Sequence, residues 1–269
     1  MLFRSPCPFC GKVPAGRSKA GALGTHATEE IFLRGSDTHH ANLVVNDHAG
    51  HRLGDINGRL VNEIPGAHVD RLISNQDWRD SLAPDFFVPA NATYTITVDG
   101  TTLTGTDTET VGIIGPSSDL SVDDILMSPG EKDTLVAEPN DTKVSYTSSR
   151  AESPNLELGV SDDQADYSFV VSGVSDRPGS TIELSLPAEG STLIMDNVGS
   201  AAASTVDLKM TRETAQGTQV FSHNAIPLAG GDTASLQFGN WTNTDEGIPL
   251  ATTHNGQRAT QTLSNQGPR

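Results

Sequence analysis

The densest grouping of side chains able to do chemistry is histidine-rich: His39-His40 and His48-x-x-His51, with Asp37, Asp47 and Asp55 nearby. Two imidazoles and a carboxylate are ligand types that zinc accepts. A catalytic zinc needs three protein ligands converging on one point, whereas His48 and His51 flank Ala49-Gly50, a turn whose side chains face water. An exposed hairpin turn accounts for the pattern. His48, His51, Asp47 and Asp55 stand as the weak candidate metal ligands of a chain for which no cofactor is expected.

Other motifs are incomplete. Cys7 and Cys10, the only cysteines, form half of a zinc-ribbon ligand set, with His26 the nearest further ligand. A thioredoxin-like pair would open a helix, which Pro14, Gly16, Gly21 and Gly24 do not permit. Asp55-Ile56-Asn57-Gly58 with Glu63 has the look of an EF-hand start, but that loop needs its glycine sixth and its glutamate twelfth, and here they fall fourth and ninth. Asp123-Asp124, Asp141 and Asp162-Asp163 offer calcium its oxygen ligands; solvated acidic loops explain them more simply, and calcium stays an unassigned structural ion. G-x-S-x-G, G-x-G-x-x-G, the P-loop and H-E-x-x-H are missing, and Ser36, Ser117, Ser118 and Ser175 lack a strand–elbow–helix setting. No catalytic residue is assigned. Trp78, in the polar stretch Asn75–Asp80, is a candidate binding aromatic, although such a residue more often caps the end of a sandwich.

The elements that must position these residues are strands. The 269 residues carry 34 acidic and 17 basic side chains, a net charge of −17. Such a surface repels a phosphate backbone and anionic lipid, which argues against nucleic-acid and lipid partners. No apolar run is long enough to form a membrane-spanning helix. Asn42–Val45, His51–Ile56 and Arg59–Ile64 read as strands, the last two joined by Asn57-Gly58, the strongest short hairpin signal. Phe86–Val88, Tyr94–Val98, Thr101–Thr104 and Val111–Ile114 complete a first β-domain. Further strands are expected near 120–127, 132–137, 143–147, 155–160, 166–174, 180–186, 191–196, 204–211, 217–222, 232–238 and 259–263. Tyr167, Phe169 and Val171 alternate with polar neighbours, as do Ile182, Leu184 and Leu186, which puts one face in a core. Tyr94 and Tyr167 are placed in that core. Thr28–Arg34 reads as one helical turn ended by Gly35.

The expected fold is all-β: two antiparallel, Ig-like β-sandwich domains in tandem. They span 38–115 and 116–265, with the break at Gly115-Pro116. Residues 1–37 read as disordered or as the remnant of a preceding domain. The first 24 residues lack the apolar stretch of a signal peptide, so Met1 is not expected to be the natural start.

Asn42–Gly66 (NLVVNDHAGHRLGDINGRLVNEIPG), and more loosely Asp85–Leu103, resemble a β module of large secreted or surface-anchored bacterial proteins. There the module follows a catalytic domain, sometimes a lipase-type α/β-hydrolase, or sits among adhesive modules. Tyr146–Asn155, Ala165–Gly173 and Gly231–Trp241 look like the sandwich that commonly comes next. The resemblance implies a non-catalytic accessory region outside the cell or on its surface, spacing or stabilising a neighbouring domain of the same protein. Two alternatives stand beside it. One is the C-terminal tail of a secreted lipase or esterase whose catalytic residues lie upstream. The other is a module binding glycan or calcium, with a glycan or cell-surface partner.

Overall fold

The computed structural model describes residues 27–36, 40–70, 83–116, 118–138, 142–162, 164–173, 177–187, 191–199 and 205–267. Cys7, Cys10, His26, Asp37, His39, Trp78, Ser117, Asp141, Asp163 and Ser175 lie outside the described residues, as do residues 1–26 of the segment 1–37 expected to be disordered or a remnant. The strands are β1 (Thr28–Arg34), β2 (Asn42–Asp47), β3 (Arg52–Ile56), β4 (Arg59–Asn62), β5 (His68–Asp70), β6 (Asp85–Pro89) and β7 (Tyr94–Asp99). Then follow β8 (Asp107–Ile114), β9 (Ser118–Met127), β10 (Lys132–Ala137), β11 (Lys143–Thr147), β12 (Asn155–Ser161), β13 (Asp166–Ser172) and β14 (Thr181–Ser185). The last six are β15 (Thr192–Val198), β16 (Thr205–Thr214), β17 (Gly217–Pro227), β18 (Thr233–Gln237), β19 (Ile248–His254) and β20 (Gln257–Leu263).

They form two antiparallel sheets. One has nine strands in the order β17-β16-β13-β12-β9-β8-β1-β6-β5; the other has eleven, β20-β19-β18-β15-β14-β11-β10-β7-β2-β3-β4. From β8 onward the chain lays a hairpin in one sheet, crosses, lays the next in the other, and so advances towards β20. Period-2 sequences drive this arrangement, because alternate residues must find a dry face. In β13 the pattern is strict: Tyr167, Phe169 and Val171 are buried and their neighbours are not. The buried faces of both sheets make one core. Phe169 of the nine-stranded sheet meets Phe238, just past β18 of the other, at 4.7 Å between ring centroids, with Tyr167 alongside. Tyr94 and Tyr167 are indeed core residues.

The segments 38–115 and 116–265 each supply strands to both sheets. Gly115-Pro116 lies in the short connection between β8 and β9, and these strands pair across it, as β7 and β10 do in the other sheet. Thr28–Arg34 is not a helix. It is a strand, hydrogen-bonded to β6 on one side and β8 on the other. The misleading feature is the run Ile31-Phe32-Leu33. Ile31 and Leu33 point inward with Glu29, while Phe32 lies on the outer face against Gly112. A Cβ at Gly112 would sit 2.1 Å from the Phe32 ring, so glycine is what lets that ring lie on the sheet. Among the described residues, β-structure therefore begins at Thr28 rather than near residue 38. Thr101–Thr104 is not a strand either: Gly100–Thr102 form a 3-10 turn capped by the Asp99 side chain.

Candidate functional site

The histidine turn holds itself together. Asp47, at the end of β2, accepts hydrogen bonds from the backbone N–H groups of Ala49 (2.9 Å) and His51 (2.8 Å), and its other oxygen lies 2.8 Å from His51 Nδ1. These contacts hold the Asp47 carboxyl below its usual range against the effect of burial. His48 sits exposed in the same turn. Asp55 stands farther along, on β3, where one carboxylate oxygen is buried without a hydrogen-bond partner. The structure thus brings Asp47 and His51 together as a closed turn. Among the described residues, no group of three or more His, Cys, Asp or Glu side chains is placed to hold a metal ion.

A second polar cluster lies between the sheets. The Tyr146 hydroxyl donates to Asp133 Oδ2 at 2.8 Å and contacts Glu152 Oε1. Asp133 also accepts from Ser149 N–H (2.7 Å), and Glu152 from Leu126 N–H (2.9 Å). Burial, and then the neighbouring carboxylates, push the Tyr146 hydroxyl far above its ordinary value; burial raises Glu152 as well. These groups satisfy one another and pin the 148–152 connection, so the cluster reads as internal scaffolding.

Among the described residues, an arrangement that sets an aromatic ring, a carboxyl and an apolar side chain side by side is on the outer face of the nine-stranded sheet, and sequence reasoning missed it. Strand register sets His68, Phe87, Glu30 and Ile114 in one row across β5, β6, β1 and β8. His68 and Phe87 stack nearly parallel, 4.6 Å apart. Ile114 on the far side is 39% exposed, unusual for a large apolar side chain among the described residues. Between them opens a shallow cavity of about 460 Å³ lined by Ala27, Thr28, Glu30, Phe87, Ile114, Gly115 and Pro116. Phe87 and Ile114 stand two strands apart, about 9.6 Å at the usual strand spacing, with Glu30 on the strand between them.

Glu30 forms the polar part of this ledge. Burial, followed by the charge of Asp85, raises its carboxyl above the ordinary range, with Arg34 opposing. Arg34 is committed elsewhere: it bonds Asp85 at 2.7 Å and lies over the Phe32 ring at 4.7 Å. The ledge thus offers an aromatic edge, an apolar wall and one carboxyl acceptor. That combination suits apolar contact plus hydrogen bonding to a ligand's polar edge. Comparison of the chain with protein-family models, with curated proteins and with solved structures finds no match.

Proposed function

We propose that the chain is a non-catalytic accessory module of a larger secreted or surface-anchored protein, spacing or stabilising a neighbouring domain outside the cell. The observation that carries this reading is the continuity of the two sheets. The eleven-stranded sheet extends about 48 Å from β20 to β4 at ~4.8 Å per strand. β1 and β20, the first and last described strands, lie towards opposite ends of this stack, so the fold holds them apart. The acidic surface fits a module kept soluble and free of unwanted contacts. The test is replacement of this region in its parent protein by a flexible Gly/Ser linker of equal residue number. Lower thermal stability or lost surface display of the neighbouring domain is the expected outcome; unchanged values for both would refute the role. Residues 25–269 alone are expected to turn over no generic ester, peptide or glycoside substrate. Activity abolished by His48→Ala/His51→Ala would make the turn a catalytic site instead.

The ledge at Phe87 favours a second reading, a glycan-binding module. A sugar lying across the open edge of Phe87 and against Ile114, with a hydroxyl donating to Glu30, fits the chemistry of the ledge. Calorimetric titration with a glycan panel would reveal it, and Phe87→Ala and Glu30→Gln should each weaken any binding found. Binding that survives both substitutions would place the glycan elsewhere.

A further inference from the structure

The two sheets have four edges, and three of them are short or covered. β5 is three residues long and β4 four. β17 is long, but the chain's tail lies along it. Gln266 N–H donates to the Ser222 carbonyl (2.8 Å), Ser222 N–H to Asn265 Oδ1 (3.0 Å), Asn224 N–H to Gln266 Oε1 (3.1 Å), and Asn265 Nδ2 to the Val220 carbonyl (3.0 Å). These are the outward-facing groups of that edge.

β20 is different. Its sequence, Gln257-Arg258-Ala259-Thr260-Gln261-Thr262-Leu263, has no proline, no glycine and a single charge, and every residue before Leu263 is exposed. Nothing among the described residues pairs with its outer side. Natural sheets usually blunt such an edge with charge, proline, a bulge or a covering segment.

The hairpin fixes which backbone groups are free. Asn255 and Gly256 both have positive φ (48° and 77°), a two-residue primed turn, so His254 and Gln257 are the first hydrogen-bonded pair. Pairs alternate from there. Gln257, Ala259 and Gln261 therefore bond inward to β19, while Arg258, Thr260 and Thr262 turn their N–H and C=O groups outward.

We propose that β20 is a self-association edge, through which two copies of the chain pair antiparallel with Thr260 opposite its own counterpart. In that register the outward residues meet one another: Thr260 faces Thr260, and Arg258 faces Thr262 in both directions. Each such pair exchanges the two hydrogen bonds of a narrow antiparallel pair. No like charges oppose, and Thr–Thr is a favourable cross-strand neighbour. The contact is isologous, so it closes as a two-fold dimer rather than growing into a fibre. Each copy carries −17, so the pairing strengthens as salt screens the repulsion.

Sedimentation velocity over a range of protein concentrations, at low and high salt, tests this. The wild-type chain should form dimers with a salt-enhanced association constant. Thr260→Pro should abolish them: it removes an outward N–H that β19 does not use, and edge strands tolerate proline at such positions. Thr260→Lys should also abolish dimers at low salt, because it sets like charges directly opposite. If Thr260→Pro loosens the fold by circular dichroism, Thr260→Lys decides. A wild-type chain that stays monomeric at every concentration and salt overturns the proposal, as does a folded variant that still dimerises at low salt.

Discussion

Glu109 on β8 is fully buried, and its environment makes a quantitative claim about pH. Its Oε1 accepts the Ala41 N–H at 2.6 Å, while Oε2 is buried without a hydrogen-bond partner. Gly35 passes so close that a Cβ there would lie 2.2 Å from Oε2. The carboxyl thus sits beneath the crossover from β1 to β2, which Asp107 also ties down by accepting Ser36 N–H at 3.1 Å. Burial is the main reason that its pKa rises from 4.5 to about 7; the Asp107 charge adds to this, while the Ala41 hydrogen bond and His40 oppose it. The folded value lies above the unfolded one, so the contribution to stability is fully present below pH 4.5 and is lost as pH climbs through 7. At 1.36 kcal/mol per pH unit, the whole effect is about 3 kcal/mol. The perturbation is Glu109→Gln, which keeps an oxygen for Ala41 N–H and cannot ionise. Urea unfolding of both proteins at several values between pH 5 and pH 8.5 gives the readout. The general repulsion of an acidic chain is common to both and cancels in the difference. Relative to the variant, the wild type should lose roughly 2–3 kcal/mol across that window. Parallel stability curves would refute the reasoning and mean that water reaches the carboxyl.

Three further outcomes follow from the packing. Gly112→Ala should destabilise the fold by about 1–3 kcal/mol in denaturant unfolding, because the Phe32 ring must leave the sheet. Phe169→Ala should cost about 3–5 kcal/mol, since this fully buried ring packs against both Tyr167 and Phe238 where the sheets meet. In the histidine turn, Asp47→Ala should lower Tm more than His51→Ala, because Asp47 holds two backbone N–H groups as well as the imidazole.

Strands with strict alternation were legible in the sequence because burial on one face writes itself into period 2: β7, β13, β14 and β16 lie close to where the pattern puts them. The Asn57-Gly58 turn was legible for the same local reason, with both residues at positive φ. The same dipeptide at Asn255-Gly256 went unread, and β19 with it, although β20 was recognised. Pro249 near the start of β19 argues against a strand, yet it lies one residue beyond the β18–β19 ladder, where no N–H is needed. β1 was misread because Phe32 breaks the polar–apolar alternation, and only its neighbour Gly112, eighty residues on, explains why the ring can face outward. The ledge was invisible for a related reason. His68, Phe87, Glu30 and Ile114 come from four strands, and only cross-strand register sets them in a row. The histidine turn, by contrast, was found as a turn because all its contacts are local.

The two sheets run unbroken across residues 115 and 116, and native-state hydrogen exchange tests this directly. The informative amides are those that join β8 to β9 and β7 to β10, the pairs bridging residues 115 and 116. If the stack is one cooperative unit, these amides exchange only with global unfolding and share the opening free energy of β13 and β14. Two separate levels of protection, with the β7–β10 and β8–β9 amides opening early, would show two sandwiches docked side by side and would contradict the continuous module.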